Sequence, residues 1–351
     1  MERITIIGLG LIGGSLGLAL KAARLKDIEV VGYDKDTPTS VDARRRGAVD
    51  KSERVLQRAV RDAGLVLIAT PITAIPTVME EIAGELRQNC VVTDTASTKA
   101  IVMGWARELL PPTVSFVGGH PMAGKETAGI ANAEATLFAT KPYCIVPAAD
   151  ASEGAVQAVA AIAQLIGARP FFIDAEEHDR YVAAVSHLPL ILSTALFTLV
   201  RGSPAWPELS ALASSGFRDV TRLASTDPAL SHDICLTNRD SLLHWLDRLV
   251  EELSRYRELL RQEQEESLFE SFAKAQLERD NYLTAPPSRP ERYPEVPSGS
   301  DQLLSLLVGE RLIRRFKDIG EVLAERNEAS RRQRRTGLGP GRKAPRRPHK
   351  P

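Results

Sequence analysis

The sequence predicts an α/β protein: a Rossmann-type, doubly wound, mostly parallel sheet followed by an all-α region. Three observations carry this. A glycine-rich turn joins an apolar run to an apolar helix at the start of the chain, strand-like and helix-like segments alternate up to about residue 174, and strand-like runs then cease. At 351 residues the chain is too long for one ordinary core. The pattern divides it into an α/β region (1–174) whose glycine turn suits a dinucleotide, a helical region (175–283) expected to serve substrate and dimerisation on the grounds given below, and a last part (284–351) read as a Pro-rich linker, a helix and a basic disordered tail.

Arg3-Ile4-Thr5-Ile6-Ile7 is apolar and β-branched, as a buried strand should be. Gly8-Leu9-Gly10-Leu11-Ile12-Gly13 follows as G-x-G-x-x-G and opens a helix through Leu20. Gly8 serves the tight turn, Gly10 the close approach of a pyrophosphate, and Gly13 the packing of helix on strand. Unpaired N–H groups at Leu11 and Ile12, the start of that helix, would hold the phosphates. A second strand, Glu29–Tyr33, ends in Asp34, whose carboxylate would accept from ribose hydroxyls and repel a 2′-phosphate, favouring NAD over NADP; the adjoining Lys35 weakens that preference.

Leu65–Ala69 is a buried strand ending at Thr70-Pro71, where the chain breaks away over the carboxyl edge of the sheet and where both residues are assigned to the cofactor. Val91–Thr93 ends at Asp94-Thr95-Ala96-Ser97-Thr98-Lys99, and Ser115–Gly118 leads into a loop bearing His120. Tyr143–Val146 and Pro170–Ile173 complete the strands. Ligands in such sheets bind beyond the carboxyl ends of the strands, so Thr70, Ser97 and His120 can share one site. A neutral imidazole there can take a proton from an alcohol while hydride leaves the same carbon.

Beyond Asp174 a long apolar helix is expected over about 176–200, kinked or interrupted at Pro189. Short helices separated at Pro204, Pro207, Gly216 and Pro228 follow, then one long amphipathic helix from Asn238 to Asn281. The wide apolar stripes fit a homodimer core or an intrachain bundle. Residues 284–300 read as an extended linker, and a last helix as Asp301–Glu328. Residues 331–351 hold nine Lys or Arg and no acid and read as a solvated tail, with contact to nucleic acid or an acidic partner as the alternative.

Forty-five basic and 45 acidic residues give zero net charge, so the whole chain is not built for polyanions. No signal peptide and no apolar run long enough to span a bilayer is expected, which points to the cytoplasm and no membrane. Cys90, Cys144 and Cys235 are far apart and read as free thiols. His178, His232, His244 and His349 have no ligand spacing, so no metal is expected.

Five pieces appear in order: Gly8 to Gly17, Asp94-x-x-Ser97-x-Lys99, His120-Pro121-Met122-Ala123-Gly124-x-Glu126, Ser186-His187-Leu188-Pro189 and Gly216-Phe217-Arg218-Asp219-x-Thr221-Arg222. Together they resemble the prephenate/arogenate dehydrogenase family of tyrosine biosynthesis, over about residues 1–283. The resemblance implies NAD-dependent oxidative decarboxylation of prephenate to 4-hydroxyphenylpyruvate. It makes His120 the base, Ser97 a second contact to the hydroxyl that orients the imidazole, and Arg222 the clamp on the ring carboxylate. Glu126 would tune the histidine or gate the substrate, and His187 would contact the substrate. Against these stand a structural loop histidine for His120, a helix cap for Ser97, a surface ion pair for Arg222, a solvated charge for Glu126 and a buried, satisfied histidine for His187. Some family members end in a regulatory ACT domain, for which the tail here lacks strands.

Family members specific for prephenate often carry a second histidine where this chain has Leu190, and an aromatic residue ahead of Asp233 is replaced by Ser231-His232. Arogenate, or both substrates, is therefore the alternative. A two-domain dehydrogenase of a 3-hydroxy acid or imine would place a lysine in the helix holding His187, which has none; a non-catalytic NAD sensor is the remaining reading.

Overall fold

The computed structural model describes residues 2–24 and 28–287. Among the described residues eight strands form one sheet: β1 Glu2–Ile7, β2 Ile28–Tyr33, β3 Lys51–Ser52, β4 Ala63–Ile68, β5 Val91–Asp94, β6 Ser115–Pro121, β7 Pro142–Pro147 and β8 Arg169–Phe172. Their order is β3-β2-β1-β4-β5-β6-β7-β8. All neighbours are parallel except β6 and β7, where His120 lies opposite Cys144. The expected doubly wound, mostly parallel sheet is present, and the order reverses between β1 and β4. In sheets of this kind, ligands bind at the carboxyl edge where the strand order reverses.

Side chains of a strand alternate between faces, and the core divides accordingly. Ile4, Ile6, Leu65 and Leu67 face the helices Leu11–Ala22 and Glu153–Leu165, whereas Ile7, Val66 and Ile68 face Ile75–Ala83 and Ala100–Leu109. Leu190 and Ile234, from the helical region, complete the second layer. The position suspected of reading the substrate's arm, Leu190, is thus a core residue, 7% exposed.

From Ala175 to the end of the described residues the chain is helical. The apolar helix begins as Ala175–Val182, widens into a π-turn over Ala183–His187, and resumes as Leu188–Arg201. Proline lacks an N–H and crowds the preceding turn, so the widened turn ahead of Pro189 absorbs the expected kink. By length and composition this 27-residue helix would suffice to cross a bilayer, which corrects the expectation that no apolar run reaches that length. Its first turns instead carry His178 and Asp179 into the buried polar network described below.

Other boundaries differ from expectation. The long amphipathic helix is two, Arg239–Arg261 and Glu265–Thr284, broken where Glu263 takes a positive φ of 50°. Pro228 opens the helix Pro228–Thr237 at the expected boundary, whereas Pro207 lies in the first turn of Trp206–Leu212, where a missing N–H costs nothing. Gly216 likewise lies inside Ser215–Thr221. The proposed helix Asp301–Glu328, most of the Pro-rich linker and the basic tail lie outside the described residues.

Candidate active site

The turn after β1 takes the shape its glycines allow. Gly8 has φ +89°, a region that L side chains rarely adopt, and a Cβ there would stand 2.5 Å from the carbonyl oxygen of Ala69. A Cβ on Gly13 would meet the Gly8 oxygen at 1.8 Å, so helix and turn touch backbone to backbone. A Cβ on Gly10 would meet nothing within 4 Å, so the backbone there faces open space. The helix begins at Leu11 with no side chain capping it, leaving its first N–H groups to an external acceptor.

Asp34, at the end of β2, grips this turn: Leu9 N–H donates to Oδ2 at 2.7 Å and Asp36 N–H to Oδ1 at 2.9 Å. Past β4, the hydroxyl oxygen of Thr70 is buried without a hydrogen-bond partner, next to the exposed Pro71. These features could hold a dinucleotide, with the Gly10–Ile12 amides open to a pyrophosphate and Asp34 and Thr70 offering polar groups.

His120 sits inside β6, not in a loop as expected, and is 9% exposed. The residue before it is held from below. Asp94 Oδ1 accepts from Gly119 N–H at 3.1 Å, while fully buried Lys99 pairs with Asp94 Oδ2 and donates to the Gly119 oxygen at 2.7 Å. His120 Nδ1 lies 2.9 Å from His178 Nε2, and His178 Nδ1 lies 2.8 Å from Asp179 Oδ1. The carboxylate of Asp179 accepts from the N–H groups of Lys99 (2.7 Å) and Ala100 (2.9 Å), capping the helix Ala100–Leu109 from a different element. Ser97 is therefore not that helix's cap, and the ring nitrogen of His120 is oriented by His178.

His187, in the π-turn, is 1% exposed. Its Nδ1 lies 3.1 Å from Asn238 Nδ2, which also donates to the main-chain oxygen of Asp179 at 2.7 Å, while its Nε2 is buried and unpaired. The half-satisfied ring fits neither a wholly structural histidine nor a solvent-facing one. Farther out, Arg222 opens a 3₁₀ turn with its side chain 60% exposed and ion-paired to Glu126. Thr73 and Thr98 tie the sheet to the helix Pro228–Thr237 through Asp233 (3.0 Å) and Thr237 (2.9 Å). Asp233 is buried, whereas the preceding His232 is exposed.

His178, Asp179 and Asn238 escaped sequence reasoning. In the sequence His178 shows only the absence of metal-ligand spacing, and no spacing links it to a strand residue 58 positions upstream. The adjacent His-Asp pair opening the first helix after the last strand was the one available signal.

Burial pushes the three histidines below the usual 6.5. His120 falls well below it, chiefly by desolvation and then by the neighbouring His178, and His187 falls to about 4 by desolvation. His178 is lowered by burial against the opposing pull of Asp179. All three are neutral at pH 7. The unfolded chain binds their protons below pH 6.5 and the folded chain does not, so this stability is present above 6.5 and lost as pH falls. For His187 the loss between pH 6.5 and 4 amounts to about 3 kcal/mol. Melting temperature is expected to fall from pH 7 to 5, and His187→Gln to flatten that slope; an unchanged slope would mean His187 is not buried neutral.

An uncapped glycine turn after the first strand, and a buried imidazole of the same sheet aligned through His178 by a carboxylate, are the features of a dinucleotide-dependent dehydrogenase. Residues 16–171 match the nucleotide-binding domain of prephenate dehydrogenase, and residues 174–274 its dimerization domain. The chain belongs to the prephenate dehydrogenase family. It is similar to the prephenate dehydrogenase of Bacillus subtilis, 32% identical over 89% of this chain and 86% of the relative. It is also similar to the cyclohexadienyl dehydrogenase of Zymomonas mobilis, 34% identical over 79% of this chain and 95% of the relative. Among solved structures, a prephenate dehydrogenase from Aquifex aeolicus in complex with hydroxyphenyl propionate and NAD+ superposes with TM-score 0.75 at 25% identity, covering 80% of this chain and 98% of that one. A Synechocystis arogenate dehydrogenase gives 0.69 at 29%, over 80% and 100%.

Proposed function

We propose that the protein catalyses the NAD-dependent oxidative decarboxylation of prephenate to 4-hydroxyphenylpyruvate. The observation that carries this is the His120–His178–Asp179 chain at the carboxyl edge of the sheet. Bound NAD supplies the acceptor for the hydride from C4. Neutral His120 takes the hydroxyl proton, with Ser97 as a second contact to that oxygen. The ring carboxylate leaves as carbon dioxide, its bonding pair completing the aromatic ring. Arg222 holds that carboxylate beforehand, Glu126 occupies the guanidinium until substrate arrives, and His187 meets the substrate from the buried side. Gly8, Gly10, Leu11, Ile12, Gly13, Asp34, Thr70 and Pro71 hold the cofactor. The division into a cofactor region up to Asp174 and a substrate region after it belongs to the same reading.

Arogenate is the second reading, because relatives named for prephenate, cyclohexadienyl compounds and arogenate are all similar to this chain. NADH or NADPH formation by the purified protein, with prephenate and arogenate in parallel and each dinucleotide in turn, tests both. We expect prephenate with NAD to give the highest kcat/KM. Turnover of arogenate alone would transfer the reading to it, and NAD binding without turnover of either would favour a sensor.

The working unit we infer is a homodimer through the helical region. Val185, Leu199, Leu212 and Phe269 are each more than 70% exposed in one chain, an apolar surface that a partner copy would cover. Sedimentation at micromolar concentration should give twice the chain mass; a monomer that turns over normally would refute this.

A further inference from the structure

Among the described residues, Asp179 takes part in two polar chains that reach buried imidazoles, and it touches them differently. Its carboxylate can only accept. His178 Nδ1, 2.8 Å away, must therefore carry the proton, which leaves His178 Nε2 as a lone pair. His120 Nδ1, 2.9 Å from that lone pair, must then donate, and its own Nε2 is left as an acceptor. The neutrality of His178 that burial enforces keeps this direction from reversing.

The main-chain oxygen of Asp179 starts the other chain. It faces the Asn238 side chain at 2.7 Å, and an amide turned with its oxygen there would set two acceptors against each other. The NH₂ group therefore stands at that point and offers its second hydrogen to His187 Nδ1 at 3.1 Å. Nδ1 accepts, so His187 carries its proton on Nε2. That atom is the buried one without a partner. An N–H left unpaired in the interior is costly, so this donor is built for a ligand oxygen.

We propose that Asp179 sets opposite tautomers on the two imidazoles of the site: through His178 it leaves His120 an accepting Nε2, and through Asn238 it leaves His187 a donating Nε2–H. His178, Asp179 and Asn238 are positioning residues. The site thereby holds one fixed base and one fixed donor without a charged histidine, a division of labour suited to a substrate that gives a proton at one end and presents an acceptor oxygen at another. This deepens the dehydrogenase reading and rests on it for the purpose the tautomers serve, but the tautomers themselves are observable without substrate.

Long-range ¹H–¹⁵N correlation on protein labelled with ¹⁵N-histidine, at pH 7.5 and without ligand, reads the protonated nitrogen of each ring. His178→Gln and His187→Gln supply the assignments. The expected pattern is Nδ1–H on His120 and His178 and Nε2–H on His187. A proton on Nε2 of His120, or on Nδ1 of His187, would overturn the proposal even if prephenate turnover is normal. Failure of every substrate, with the expected pattern intact, would instead count against the substrate reading alone.

Kinetics give a second reading for His178. His178→Leu should lower kcat by about 10²-fold or more with NAD affinity retained. His178→Gln should restore most of that loss, because one amide can donate to Asp179 and accept from His120 at the same spacing. Equal impairment of the two variants at equal melting temperature, or impairment of neither, would refute the positioning role.

Discussion

Replacing His120 with asparagine is expected to lower kcat by about 10²–10⁴-fold while leaving the dissociation constant for NAD nearly unchanged. The two halves of this expectation come from different parts of the molecule. The turn that would hold the dinucleotide is fixed by contacts that do not involve His120: Gly8 against Ala69, Gly13 against Gly8, and Leu9 N–H on Asp34. The backbone of β6 is fixed independently by Asp94 and Lys99 on Gly119. An asparagine at position 120 therefore inherits an intact strand but offers no basic nitrogen where Nε2 stood. It also leaves His178 Nε2 facing a shorter side chain. Steady-state turnover of prephenate, with NAD affinity measured separately by fluorescence titration, checks both halves. A kcat within about tenfold of the original would remove His120 as the base, and a parallel collapse of NAD affinity would make its role structural.

Much of the fold was legible in the sequence because buried parallel strands are continuous apolar runs closed by turn residues. Seven of the eight strands were read that way. β3, Lys51–Ser52, is too short to leave a pattern. The reversed direction of β7 was invisible because hydrophobicity carries no polarity. The clue lay in the connection: between β6 and β7 there is only a 3₁₀ turn, Ile130–Asn132, where a parallel crossover would need a helix. The break at Glu263 has neither glycine nor proline to announce it.

The site was legible unevenly for a related reason. The glycines and Asp34 are local signals, with spacing set by one strand–turn–helix unit. His178, Asp179 and Asn238 act through distances that only packing creates: Asp179 caps a helix that begins 79 residues earlier, and Asn238 reaches an oxygen 59 residues away. No periodicity encodes such a meeting. Leu190 is the converse case, a position singled out for the substrate by its departure from the family pattern yet packed into the second core layer.

Changing Arg222 to alanine is expected to raise KM for prephenate with little effect on folding, and the exposure of its ion pair explains why the two readouts separate. Arg222 is 60% and Glu126 38% exposed, so water screens their attraction and the pair contributes only about 0–1 kcal/mol to stability. In the proposed role, the guanidinium would gain its value when a substrate carboxylate replaces Glu126 and displaces the water around it. Losing one partner of a desolvated, hydrogen-bonded charge pair costs about 2–5 kcal/mol, which is roughly 30- to 5,000-fold in kcat/KM. Glu126→Gln provides the opposite perturbation: it frees the guanidinium and should leave KM equal or lower. A melting temperature that drops sharply in Arg222→Ala would assign the residue to the fold. An unchanged KM would instead mean that another cation holds the carboxylate. Only a large rise in KM with an intact fold supports the clamp, because a surface pair held merely for stability cannot produce it.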